Sequence, residues 1–105
     1  MRILITGATG FVGKTLIPYL FNKGVNDLVL LVRNLDKAKT LFGNESVEMI
    51  TTQSSDWMEQ VKNANPDVTL HLAAFFTGRH DLENVNKLVE ANISFTTFLL
   101  EALSN

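Results

Sequence analysis

Residues 3–13 read Ile-Leu-Ile-Thr-Gly-Ala-Thr-Gly-Phe-Val-Gly, an apolar run that meets glycines at positions 7, 10 and 13. Met1–Thr6 has the character of a strand, and Phe11–Lys23 carries apolar residues at helical spacing. A strand that turns through glycines into a helix makes a seat for a pyrophosphate. The first amides of the helix have no intrahelical partner, and the helix end carries partial positive charge. Each glycine has its own expected task. Gly7 permits the sharp exit from the strand, where a Cβ would clash. Gly10 lets backbone amides approach the phosphate oxygens, and Gly13 removes a side chain where the helix lies against the sheet. Thr9, Phe11 and Val12 complete the loop as candidate contacts. The competing reading is a glycine-rich turn without a ligand.

Working outward, strand and helix periods alternate with no linker or low-complexity stretch. Arg2–Thr6 reads as a buried strand and Phe11–Lys23 as a helix with Pro18 inside it and Gly24 as its C-cap. Leu28–Val32 is an unbroken apolar run, as expected of a strand covered on both faces. Leu35–Phe42 reads as a short helix ending at Gly43, and Val47–Thr51 as a third strand. Asp56 opens a helix to about Asn63, a turn follows at 65–67, and Val68–Leu72 is the fourth strand. Leu82–Leu103 reads as one long helix with apolar residues at 82, 85, 88, 89, 95, 99 and 103. This alternation predicts a doubly wound parallel α/β sheet, Rossmann-like, with strand order 3-2-1-4 and helices on both faces. A complete dinucleotide fold adds further strands, so the expected sheet is truncated and its fourth strand is a bare edge.

The net charge of −2 argues against a nucleic-acid or anionic-membrane surface. With no cysteine, disulfides, thiol catalysis and Cys-bound metals are excluded. No signal-peptide core or membrane-length apolar run is present. The expectation is a soluble cytoplasmic protein without a metal.

The spacing Gly-x-x-Gly-x-x-Gly behind Thr6 resembles the Thr-Gly-x-x-Gly-x-x-Gly loop of the short-chain dehydrogenase/reductase superfamily. Its Gly-Ala-Thr-Gly-Phe-Val-Gly wording is similar to the extended branch, the NAD(P)-dependent epimerases, dehydratases and reductases of nucleotide sugars. Arg33 stands 20 residues past Gly13, at the carboxyl end of the second strand. An acidic residue there would accept from a ribose 2′-OH, whereas arginine offers a planar fork to a 2′-phosphate. With Asn34 beside it and Lys37 placed to assist, NADP is expected over NAD, a solvated surface arginine being the alternative. Asp56 matches the family aspartate that accepts from the adenine amino group, with Trp57 adjoining. Ser-Asp-Trp replaces the usual Gly-Asp-Leu, and a plain helix N-cap is the competing reading.

His71-Leu72-Ala73-Ala74 resembles the family's His-Leu-Ala-Ala, where Leu72, Ala73 and Ala74 let the nicotinamide-side ribose pass close to the backbone. His71 itself reads as a packed, hydrogen-bonded core residue rather than a catalyst. Residues 75–80 are expected to form a loop over the cleft. The Asn92-Ile-Ser-Phe-Thr96 run resembles the family's Asn-x-x-Gly-Thr, which makes Asn92 a supporting residue beneath the active site, or an ordinary polar residue on a helix flank. Phe95 stands where the family has glycine.

The superfamily's chemistry rests on a Tyr-x-x-x-Lys pair plus a serine or threonine. Tyr19 and Lys23 meet that spacing but lie on the helix opened by the glycine loop, with Tyr19 roughly 9 Å along its axis from Gly13. They are not the pair. Residues 1–105 are therefore expected to be the N-terminal part of an NAD(P)-binding domain, without later strands or a substrate domain and without turnover of its own. Two other readings stand beside it: a stand-alone, non-catalytic dinucleotide sensor, and an assembly role. The last helix carries a second apolar stripe through Ile93 and Leu100, and in the family this helix builds a dimer interface. Self-association through helix 82–103 or the fourth strand is expected.

Overall fold

The computed structural model describes residues 1–43, 46–74 and 81–104. Four parallel strands, β1 (Ile3–Thr6), β2 (Leu28–Val32), β3 (Glu48–Thr51) and β4 (Val68–His71), form one sheet in the order β3-β2-β1-β4. Ile3 pairs with Leu28 on one side and Val68 on the other, so the central strand begins level with both neighbours. The expected fold class and strand order hold. Element bounds agree with the sequence reading to within one residue for the first three helices and all four strands.

The alternation of side chains along β1 and β2 divides the core in two. Ile3, Ile5, Leu28, Leu30 and Val32 face one way and pack against Ile17 of α1 (Phe11–Asn22) and Ala38 and Phe42 of α2 (Leu35–Phe42). Leu4, Val29 and Leu31 face the other way, with Ile50 of β3. They meet Val61 of α3 (Trp57–Ala64) and Leu99 and Ala102 of the last helix. Both faces of β1 and β2 are thus buried, which is why they read as continuous apolar runs. Each fully buried Leu or Ile contributes about 1.5–3 kcal/mol of transfer free energy. The outer strands β3 and β4 are only partly covered.

Helix α1 tolerates Pro18 in its interior and ends as expected. Gly24 takes φ 80°, and the Val25 amide returns to the Leu20 carbonyl at 2.9 Å, closing the last turn. The long final helix differs from the expectation. It is broken into α4 (Leu82–Val89), a π-helical turn at Glu90–Ser94, and α5 (Phe95–Leu103). A wide turn holds an extra residue, which rotates the face beyond it by about 100°. Only after that rotation does the chain bury residues, Leu99 and Ala102, whereas α4 buries none.

Candidate cofactor site

All the candidate residues of the glycine loop, the ends of β2 and β3, and the exit of β4 gather at the carboxyl edge of the sheet. Gly7 leaves β1 with φ 70°, and a Cβ there would lie 2.6 Å from the Ala73 amide and 2.7 Å from the Leu72 carbonyl carbon. The backbone therefore crosses the exit of β4 at a distance only glycine allows. Thr6, the buried polar residue at the end of β1, fastens the same crossing: its Oγ1 accepts from the Ala73 amide at 3.1 Å.

Gly10 is the N-cap of α1, with φ −81°, and its own amide donates to the Gly7 carbonyl at 3.0 Å. The helix has no side-chain cap and no acidic residue in its first turn. The amides of Phe11, Val12 and Gly13 have no acceptor among the described residues. These are the donors that a helix start normally hands to a cap, water or a ligand. A Cβ on Gly10 would meet only the Gly7 carbonyl oxygen, at 3.3 Å, a tight contact but far milder than those at Gly7 and Gly13. Gly13 departs from its expected task. Its Cβ would lie 2.2 Å from the Ala8 carbonyl oxygen, so it makes room for the loop's own backbone rather than for the sheet. Thr9 is half-buried, whereas Phe11 and Val12 are exposed, Phe11 to 92%.

An open groove lies at the ends of β2 and β3, lined by Arg33, Asn34, Leu35, Asp36, Thr51 and Gln53. Arg33 is exposed and free to reach into it. The Asn34 side chain is committed to structure, since its Oδ1 accepts from the Lys37 amide at 3.0 Å and caps α2. Lys37 is exposed but does not line the groove. Nor do Asp56 and Trp57.

Asp56 occupies the cap position of α3, yet it does not cap the helix through its side chain. Its carboxylate instead accepts from the Ser54 hydroxyl and from Gln60 Nε2, the latter at 2.7 Å. These two bonds, Ser54 first, hold its pKa below the usual carboxylate value of 3.8. Trp57 turns into the core and packs on Phe95 with ring centroids 5.8 Å apart. The tryptophan and phenylalanine that depart from the family wording are thus one contact.

Leu72 and Ala73 are half-buried beside the glycine loop, and Ala74 is exposed. The expected cleft loop at 75–80 lies outside the described residues. Asn92 sits on the π-helical turn and is exposed. His71 is not the core residue expected: it ends β4 on the open flank of the sheet and is exposed. It is nevertheless hydrogen-bonded through both ring nitrogens. Thr6 and Thr96, its partners, were not singled out as site residues. The signal available was Thr6 itself, a polar residue ending an otherwise apolar strand. Tyr19 and Lys23 pair with each other on the outside of α1, the ammonium 5.6 Å from the ring centroid. Among the described residues, no three His, Asp or Glu side chains cluster as metal ligands do.

A family model described as the NAD dependent epimerase/dehydratase family matches residues 3–105. The chain is 33% identical over 106 residues to UDP-N-acetyl-alpha-D-glucosaminuronate decarboxylase of Bacillus cytotoxicus, covering 96% of this chain and 32% of that protein. It is 30% identical over 114 residues to dTDP-glucose 4,6-dehydratase of Escherichia coli, covering 96% of this chain and 30% of the relative. Among solved structures, UDP-glucuronic acid 4-epimerase of Bacillus cereus, in complex with UDP-glucuronic acid and NAD, superposes with a TM-score of 0.75. That match has 27% identity and covers 97% of this chain and 36% of the epimerase. The chain spans about a third of the length of these relatives.

Proposed function

The chain belongs to the NAD-dependent epimerase/dehydratase family, and from that membership we propose that it seats a dinucleotide cofactor at the carboxyl edge of its sheet. The observation that carries this reading is the open helix start. Three amides, of Phe11, Val12 and Gly13, lack an acceptor among the described residues, and beside them the space over Gly10 holds one protein atom, the Gly7 carbonyl oxygen, within 4 Å of where a Cβ would be. A pyrophosphate satisfies both features. Leu72 and Ala73, pressed against the loop at Gly7, and Ala74 after them flank the path toward the nicotinamide, and Asn92 supports it from the last helix.

The adenosine ribose falls at the groove below Arg33. The guanidinium favours a 2′-phosphate, hence NADP. Asp36 lines the same groove and is the feature that favours NAD, as an acceptor for an unmodified ribose. Calorimetric titration with NADP and NAD decides between them. Arg33→Ala is expected to weaken NADP about tenfold or more and to leave NAD within a few-fold. An unchanged preference would remove the 2′-phosphate argument, and no binding of either would remove the cofactor reading.

The bound dinucleotide would supply hydride transfer, and a nucleotide sugar is the substrate class that the relatives' names suggest for the parent enzyme in the cytoplasm. The Tyr-x-x-x-Lys proton-transfer pair has no counterpart at this seat, Tyr19 and Lys23 being on the outer side of α1. These 105 residues alone are therefore expected to bind without turnover. Cofactor-dependent oxidation or reduction by the purified chain would contradict that.

A further inference from the structure

A chain of three side chains crosses the sheet edge just beneath the glycine loop, and none of them has yet a role toward the cofactor. His71 Nδ1 lies 2.6 Å from Thr6 Oγ1, and His71 Nε2 lies 3.0 Å from Thr96 Oγ1. Thr6 is fully buried, and its Oγ1 already accepts from the Ala73 amide. A hydroxyl has one proton to give. For Thr6 the acceptor recorded within reach is Nδ1, so the hydroxyl donates to it. The imidazole is then neutral and carries its proton on Nε2, which donates to Thr96. This assignment gives the buried Thr6 hydroxyl both a donor, the Ala73 amide, and an acceptor, Nδ1.

We infer that His71 is a positioning residue for the cofactor seat, joining Thr6, which clamps the glycine loop to the exit of β4, to Thr96, which follows the turn bearing Asn92. The role rests on the cofactor reading above. Its geometry is specific. If Nδ1 took a proton, two donors would face each other over 2.6 Å, and the Thr6 hydroxyl would have to turn into a buried space. Among the described residues, the ring's hydrogen-bond and stacking partners are uncharged: Thr6 from β1, and Phe95 and Thr96 from α5, with the Phe95 ring centroid 5.7 Å away. Desolvation by burial pushes the imidazole pKa below 6.5. Acidification therefore works against the chain at the Thr6 end, beside the pyrophosphate seat.

The test has two parts on the full chain. Imidazole nitrogen NMR is expected to show His71 as the Nε2–H tautomer, titrating below the ordinary histidine value of about 6.5. Oxidised NAD is the binding probe, because a 2′-phosphate would itself titrate at about pH 6. Its affinity is expected to fall about five- to tenfold between about pH 8 and about pH 5.5. Thr6→Val, close in shape but without the hydroxyl, is expected to bind weakly at both pH values and to lose that dependence. An Nδ1–H tautomer, or ordinary titration with normal binding, would overturn the role of His71 alone. The same pH dependence in Thr6→Val would also overturn it. Failure of both NAD and NADP to bind at any pH, with the expected tautomer present, would overturn the cofactor reading and the positioning role with it. Should Thr6→Val fail to fold, the tautomer and the wild-type affinity profile still decide the question.

Discussion

At the residue scale, the glycines of the first loop separate by what their missing Cβ would touch. Gly7 is required by the fold, through its positive φ and its contact with the β4 exit. Gly7→Ala is expected to cost roughly 2–4 kcal/mol, combining left-handed strain with a backbone clash, and urea denaturation reads it. Gly10→Ala has no such clash. It is expected to lower stability by about 1 kcal/mol or less, the cost of a poorer cap, while abolishing measurable dinucleotide binding in the same titration. Equal damage to stability from both would show that Gly10 serves the fold and not a ligand. Asp56 and His71 give opposite pH signatures. Asp56 has a folded pKa held below its ordinary value, so its contribution is present above about pH 4 and is lost as pH falls through the lowered folded value. Asp56→Asn should therefore unfold more easily than wild type at pH 7 and match it in strong acid. His71 also has a lowered pKa, but its charged form is the acidic one. Stability from its neutral bonds is complete above about pH 6.5 and erodes below it, so His71 adds a loss of stability between neutral pH and pH 5 that Asp56 does not.

The last helix is where element-scale reasoning from one period fails. Its apolar positions read as one continuous helix with a second stripe through Ile93 and Leu100, and the sequence carries no mark of the extra residue in the Glu90–Ser94 turn. What the turn achieves is visible only against α3: it aims Leu99 and Ala102 into the second core and sets Phe95 between Trp57 and His71. The bulky residue in place of the family glycine is thus matched by a tryptophan in place of leucine. The losses from the single Trp57→Leu and Phe95→Gly substitutions are expected to sum to more than the loss in the double variant, with a coupling of about 0.5–1.5 kcal/mol in a double-mutant cycle. Additive losses would show that the rings are neighbours without interaction.

For the whole molecule, the weak point is its uneven cover. The inner strands are buried on both faces, but the outer flank of the last helices exposes Leu82, Val85, Val89, Ile93, Phe98 and Leu100. Several of these lie more than half exposed, and among the described residues β4 pairs on one side only. Apolar area on this scale drives association. Sedimentation is expected to show self-association that rises with concentration, and Ile93→Glu with Leu100→Glu is expected to abolish it. A strictly monomeric wild-type chain at high concentration would contradict this expectation.

What the sequence determined by itself was whatever depends on local period and backbone geometry. The glycine spacing, the two continuous apolar strands and the alternation of elements were enough for the sheet, its order and the place of the glycine loop at its carboxyl edge, since handed crossovers leave few other arrangements. The tertiary structure decided what depends on contact between distant residues. It turned Asp56 from a backbone cap into a partner of Ser54 and Gln60, and gave Gly13 the Ala8 backbone as its reason. It also drew His71 out of the core into a bridge between Thr6 and Thr96, residues 65 and 25 positions away. Periodicity records which face a side chain takes, but a hydrogen-bond partner across a sheet leaves no trace in the spacing of either residue.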